Sequence, residues 1–288
     1  SVIGGDERGK MFLDLMEDQN LPDVGITVDD YRVTTQKTRV ISGFKHLLRV
    51  DEEIDNVLSS RVEENFIEIV LNLMRTGGID SIIVQDYDKG VMTPSIIRRV
   101  HSLARKQKIP VMVDPKFRNF KAYRGVTIFK PNLKELTKRI RFAERNPDLE
   151  DIIEKTEDFR KKQKIETLMV TLSSRGILVL DDSGHTHIPA VKREITDVSG
   201  AGDTVISIAS VCYNSKLASG EIAAIANLAG GQVCERSGVV PVDRDQLLKE
   251  CEELLIKKPA RKKIVNKKAG SSDSQVKKTE GKASRVTP

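Results

Sequence analysis

Only three cysteines occur in the 288 residues, Cys212, Cys234 and Cys251, and none falls in Cys-x-x-Cys spacing. An odd, scattered set argues against a disulfide framework or a zinc site and suits a reducing cytoplasm. Each cysteine is expected to serve as a small apolar residue on a helix. No apolar run is long enough to cross a bilayer, and Ser1–Lys10 lacks the pattern of a signal peptide. The expectation is a cytoplasmic chain with no membrane partner. There is no Gly-x-x-x-x-Gly-Lys-Ser/Thr loop and no internal repeat. His185 and His187 alternate as neighbours on a strand do, but no third candidate ligand lies near them, which favours a surface strand over a metal site.

Excess positive charge is confined to one end. The formal balance is +6, yet residues 257–288 hold 11 Lys/Arg against 2 Asp/Glu, leaving 37 basic and 40 acidic side chains before them. The first 256 residues are therefore mildly acidic, at −3, show no basic face in sequence, and are not expected to bind nucleic acid. Residues 257–288 are rich in Lys and Ser and poor in large apolar residues, too little to bury for the segment to order itself. They read as a basic, disordered tail beyond a domain at 1–256. Such a tail could touch nucleic acid or acidic lipid, or serve as a solubilising segment or linker.

Between them, short apolar runs alternate with helical patterns. Ser81–Gln85, Pro110–Asp114, Val126–Lys130, Thr167–Leu172 and Gly176–Asp181 read as strands. Helices are predicted over Pro94–Lys106, Leu133–Phe142, Leu149–Lys164, Gly202–Asn214, Ser219–Arg236 and Asp243–Ile256. This is an α/β pattern: a mostly parallel sheet covered on both faces, with ligands beyond the carboxyl ends of its strands. Asp86, Asp114 and Asn132 fall at such ends. Val24–Val28, Gln36–Ser42 and His46–Val50 have only brief connections and predict small antiparallel ribbons projecting from the domain.

The most informative stretch is Asp197-Val198-Ser199-Gly200-Ala201-Gly202-Asp203-Thr204, followed by a helix rich in small residues. Small residues let backbone N–H groups approach a ligand, and a helix N-terminus adds partial positive charge. Together they suit a phosphate or the charge that builds during phosphoryl transfer, with Asp203 placed to take a proton from an attacking hydroxyl. A plain strand-to-helix turn with an aspartate N-cap would use the same residues. Lys130-Pro131-Asn132-Leu133-Lys134-Glu135 opens another helix, and Asn132 with Glu135 has the spacing of an N-cap and its N3 partner, which needs no function. Asp86-Tyr87-Asp88-Lys89-Gly90 and Asp114-Pro115-Lys116 end two further strands, where acids and lysines are commonly just solvated turn residues.

The Asp-x-x-Gly-Ala-Gly-Asp pattern resembles the second signature of the ribokinase-like (pfkB) sugar kinases. The resemblance implies an anion hole at Gly200, Ala201 and Gly202 and a catalytic base at Asp203. It also implies ATP and Mg²⁺. Asn132, Leu133, Lys134 and Glu135 would serve ATP, and Glu135 would help hold the metal through water. Thr171, Ser173 and Gly176 match the strand–loop–strand along the nucleotide. Asn227 matches the late helix beside the base, although tight packing of an Ala- and Gly-rich helix explains that segment equally well. The order Asp-Tyr-x-Lys-Gly, Asp-Pro-Lys, Lys-Pro-Asn-x-x-Glu, Gly-Ala-Gly-Asp looks like the heptose-7-phosphate kinase branch that serves ADP-heptose and lipopolysaccharide core. Lys37, Arg39, Arg49 and Asp51 add its lid pattern. That likeness implies a sugar phosphate held by Lys37, Arg39, Asp86, Lys89 and Lys116, and a β lid that also joins two copies as a homodimer. Two departures set further expectations. Val2-Ile3-Gly4-Gly5-Asp6-Glu7 looks like a strand end well inside the family domain, so a first strand and a sugar-gripping Gly-Gly-x-x-Asn loop are expected to be missing. The nucleotidyltransferase motif His-x-Gly-His is absent, so kinase chemistry alone is expected.

Overall fold

Strand β1 (Val2–Gly4), helix α1 (Glu7–Asp18) and strand β2 (Thr27–Asp29) open the chain in a computed structural model that describes residues 1–42, 45–142, 144 and 147–256. The basic segment at 257–288 lies outside the described residues. Strands β3 (Gln36–Ser42) and β4 (Lys45–Glu52) follow, then α2 (Ser60–Thr76), β5 (Ile82–Gln85), α3 (Pro94–Gln107), β6 (Val111–Asp114) and β7 (Ile128–Phe129). Helices α4 (Leu133–Arg139) and α5 (Leu149–Gln163) precede β8 (Thr167–Thr171), β9 (Ile177–Asp181) and β10 (Gly184–Ile188), and α6 (Ala201–Asn214), α7 (Ser219–Val233) and α8 (Arg244–Ile256) close the order. The six-stranded sheet runs β10-β9-β8-β7-β6-β5. Its β5 to β8 pair in parallel, and β9 and β10 add on antiparallel.

The pleat explains why the central strands read as unbroken apolar runs. Val111, Val113, Phe129, Leu168, Val170, Leu178 and Leu180 point to one face and pack with residues of α2 to α5. Met112, Ile128, Met169, Ile177 and Val179 point to the other and pack under α6 and α7. With both faces covered, period-2 alternation no longer separates apolar from polar. Val2 of β1 joins the first of these cores.

Three expectations change. The ribbon expected at Val24–Val28 is instead β2, parallel to β1, because the chain start supplies an edge that Thr27 N–H meets by donating to Ser1 O at 2.9 Å. Only Gln36–Ser42 and Lys45–Glu52 form the small antiparallel sheet, with a register shift between Val40 and Ile41. The strand expected at Val126–Lys130 shortens to Ile128–Phe129, although Thr127 and Lys130 N–H groups still donate to Val111 and Val113. Helices α1 and α2 were not read from the sequence. α2 starts at Ser59, whose hydroxyl caps Val62 N–H, and buries Phe66, Ile67, Leu71 and Met74 along one stripe. β10 is the surface strand expected around His185 and His187, and His187 Nε2 donates to Arg175 O at 2.7 Å. Among the described residues, no helix is long and apolar enough to cross a membrane.

Candidate active site

Three strand ends and one helix start converge. Gly200, in the left-handed region at φ +80°, turns the chain into α6 and places Asp203 in its first turn. Asp197 steadies that approach: its carboxylate accepts from Ser199 N–H at 2.9 Å and from Gly238 N–H at 3.1 Å, tying the loop before α6 to the one after α7. Asp203 accepts from Gln85 Nε2, at the end of β5, and from the Tyr87 hydroxyl at 3.3 Å. Burial, then the charge of Asp203, pushes the Tyr87 hydroxyl up to about 12, so it remains a donor at ordinary pH.

Beneath α6, Lys130 Nζ lies 3.0 Å from Asp114 Oδ2, with the two side chains only 3% and 9% exposed. Asp114 Oδ1 is buried with no hydrogen-bond partner. A β-carbon on Gly202 would stand 3.4 Å from Lys130 Nζ and 3.8 Å from Asp114 Oδ2, so the ion pair sits directly under the Gly-Ala-Gly turn.

Asn132 and Glu135 form a capping box: Asn132 N–H donates to Glu135 Oε2 at 2.9 Å, and Glu135 N–H to Asn132 Oδ1 at 2.8 Å. The buried Glu135 also accepts from Lys116 Nζ. Burial works against the Lys116 charge, but the hydrogen bond and charge of Glu135, with Asp114 and Asp203 beyond, raise its pKa above the usual lysine value. Asn132 bridges in parallel to Thr171, so two residues expected on the nucleotide side meet. Leu133 packs into the core and Lys134 is exposed. Ser173 and Gly176 flank the turn between β8 and β9, and Asn227 Nδ2 donates to Pro189 O at 2.9 Å.

The lid cations converge on the domain. Lys37 Nζ lies 2.7 Å from Glu53 and 3.3 Å from Asp51; Arg49 holds the same Asp51 at 2.9 Å, and Lys89 pairs with Glu53. Arg39 sits opposite Arg49 on the ribbon. Below, the buried Arg32 donates to the carbonyls of Lys89 at 2.8 Å and Asn56 at 2.7 Å, clamping the loop after β5 to the segment returning from the lid.

Asp86 lies elsewhere. It turns to the opposite face of the pleat, where it accepts from Tyr123 at 2.6 Å, Asn119 at 3.2 Å and Asp88 N–H at 2.9 Å. Gln85, Tyr87 and the Lys130–Asp114 pair were not singled out from the sequence for what they touch. A polar residue ending an otherwise apolar strand is the signal that could have found Gln85, Asp114 and Lys130. Among the described residues, no group of three or more His, Cys, Asp or Glu could hold a metal ion.

The pfkB family carbohydrate kinase pattern matches residues 1–245. The chain is 35% identical over 251 residues to the bifunctional protein HldE of Geotalea uraniireducens, covering 87% of this chain and 50% of that protein. It is 33% identical over 251 residues to the bifunctional protein HldE of Geobacter metallireducens, covering 86% and 50%. The chain thus spans about half the length of the curated relatives it matches. Its fold is similar to that of phosphofructokinase-2 from Escherichia coli in complex with potassium, with TM-score 0.71, 18% identity and coverage of 88% of this chain and 81% of that one. It is also similar to Arabidopsis thaliana ribokinase complexed with ribose and ATP, with TM-score 0.68, 17% identity and coverage of 88% and 80%. At these identities the structural likeness is one of fold.

Proposed function

The chain belongs to the pfkB family of carbohydrate kinases, and from that premise we propose that it transfers the γ-phosphoryl group of ATP to D-glycero-D-manno-heptose 7-phosphate at the anomeric hydroxyl, giving the 1,7-bisphosphate. The observation that carries this reading is the Asp203 carboxylate, held by Gln85 and Tyr87 in the first turn of α6, over a buried Lys130–Asp114 pair. Asp203 takes the proton of the anomeric hydroxyl as its oxygen bonds to the γ-phosphorus, and ADP leaves. Backbone N–H groups at Gly200, Ala201 and Gly202, with the positive end of α6, stabilise the charge on the phosphoryl oxygens. Lys130 and Lys116, each paired with a carboxylate, lie beside that path.

The donor set suits Mg²⁺ held through water. Glu135 and the unpartnered Asp114 Oδ1 are hard oxygens, while no described carboxylate cluster forms a direct cage. When bound, Mg²⁺ neutralises charge on the β and γ oxygens. Asn132, Leu133, Lys134, Thr171, Ser173, Gly176 and Asn227 line the ATP side in this reading. Lys37, Arg39 and Lys89 meet the acceptor's phosphate, competing with Glu53 and Asp51 for the first and last of these cations. Asp86 serves the acceptor only indirectly, by shaping the loop that carries Lys89. Residues 1–256 form the catalytic unit and 257–288 a basic tail outside it. A homodimer through the lid is part of the proposal, supported by the exposed Val40, Leu48 and Val50 on β3 and β4.

The test is phosphoryl transfer from ATP to heptose 7-phosphate, ribose and fructose 6-phosphate in parallel, with phosphorus NMR of the product. Heptose 7-phosphate should have the highest kcat/KM and give an anomeric phosphate. Preference for either other sugar would overturn the acceptor assignment.

A further inference from the structure

At the opposite ends of the strands that carry Asp114 and Lys130, the surface holds an open basin of about 540 Å³. Its walls are Arg98, His101, Ser102, Arg105 and Lys106 of α3, with Arg124 from the connection to β7. Residues 98, 101, 102 and 105 recur at three- and four-residue spacing and so share one helix face. A second basin of about 290 Å³ continues from His101 and Arg105 to Lys108, Val111 and Thr127.

The charge here is unbalanced, so a basic face that the overall balance of −3 conceals lies within the first 256 residues after all. Arg98, Arg105, Lys106, Lys108 and Arg124 are exposed, and none forms an ion pair among the described residues. The neighbouring Arg99 is paired, with Glu64 at 2.6 Å. In the second basin the acid is Glu166, which already accepts from Tyr213 at 3.1 Å. Some of the charge is explained by the helix itself, since Arg105 and Lys106 complement the C-terminal end of α3. Arg98, one turn into the helix, and Arg124, from another segment, are not explained that way. In a unit whose balance is −3, four unpaired cations around the first basin, with Lys108 on the adjoining one, repel each other unless an anion joins them. His101 is held in place by donating from Nε2 to Gly125 O at 3.1 Å, and Ile97 and Ala122 supply apolar wall. The volume is that of a small-molecule site. The basic segment at 257–288 has the wrong sign to fill it.

We propose that this basin is a binding site for a small, multiply phosphorylated anion, separate from the catalytic centre. Arg98, Arg105 and Arg124 would each offer planar paired donors to phosphate oxygens, with Lys106 and, from the adjoining basin, Lys108 as point charges. This inference does not depend on the acceptor assigned above.

The experiment is calorimetric titration of inorganic tripolyphosphate into the full chain, with the catalytic site filled by a non-hydrolysable ATP analogue. One saturable equivalent is expected. The double variant Arg105→Ala/Arg124→Ala should weaken it by about 100-fold or more, the loss of two charge-assisted contacts. Both side chains are exposed, so the melting temperature should be unchanged, and the control pair Lys155→Ala/Lys161→Ala should bind as the wild type does. No saturable equivalent, or one that survives the double variant, would overturn the site. Binding seen only with a single-stranded oligonucleotide or anionic vesicles, and not with tripolyphosphate, would also overturn it.

Discussion

Lys130 Nζ and Asp114 Oδ2, 3.0 Å apart and buried, join the ends of β7 and β6 under the turn that opens α6. Two adjacent parallel strands each end in a charge on the same face, and each charge neutralises the other. Removing one partner leaves an uncompensated buried charge. Lys130→Met should therefore lose about 3–5 kcal/mol of stability in urea unfolding. The double variant Lys130→Met/Asp114→Leu should recover most of that loss yet remain inactive. A double variant with normal turnover would make the pair purely structural.

Asp203→Asn should lower kcat by about 10² to 10⁴, the usual range for a general base, and leave ATP affinity within a few-fold. The amide keeps the shape of the carboxylate and can still present an oxygen to Gln85, but it cannot accept the proton. Steady-state kinetics alongside calorimetry decides the matter; near-normal turnover removes Asp203 from the mechanism.

Tyr87 has its hydroxyl pushed up to about 12, by burial first and then by Asp203. The protonated form therefore persists across the ordinary range, and its O–H keeps donating to Asp203. The pH–rate profile should show no basic limb owed to Tyr87. Tyr87→Phe should cost roughly five- to tenfold in kcat, the worth of one hydrogen bond of about 1 kcal/mol, without removing a basic limb. A limb that disappears in this variant would contradict the assignment.

Gly90 adopts φ +78°, and a β-carbon there would lie 1.8 Å from Asn56 O. Gly90→Ala meets both a left-handed backbone, costing about 1–2 kcal/mol, and a backbone clash. Because Lys89 precedes it and pairs with the lid acid Glu53, KM for the acceptor should rise more than KM for ATP, together with a lower melting temperature. Equal changes in both KM values would separate Lys89 from the acceptor.

Asp6 caps α1 and is held below the usual aspartate range, first by Thr34 N–H, then by the Thr34 hydroxyl and Gly9 N–H. A carboxyl whose folded pKa is depressed stabilises the fold above its unfolded value, and this is lost as pH falls through the folded one. The wild type should lose melting temperature below about pH 4, whereas Asp6→Asn should be less stable at neutral pH and flatter with acid. Melting curves from about pH 3 to pH 7 compare the two.

How much of this was legible differs from one residue to the next. The helix starts at Asn132 and Gly200 were visible because capping and tight turns act within a few residues. The strand runs around Val111–Asp114 and Thr167–Thr171 were visible because a sheet covered on both faces needs continuous apolar sequence. Helix α2 carries a readable stripe at Phe66, Ile67, Leu71 and Met74, but α1 fully buries only Gly9, so its apolar residues mark no face. The parallel pairing of β2 with β1 depends on which edge is available, and no local pattern records that.

By itself the sequence determined the class of fold and the kinase family, since each depends on short-range spacing or on a motif read in order. The tertiary structure alone decided which polar side chains share a site. Gln85 and Asp86 are neighbours in sequence, yet one meets Asp203 and the other Tyr123, on opposite sides of the sheet. The pleat sends successive residues to opposite faces, and which face meets α6 is set only when the helices pack. The same packing set Lys130 against Asp114 and joined Lys37 to Lys89 through Glu53, contacts between segments that no spacing along the chain encodes.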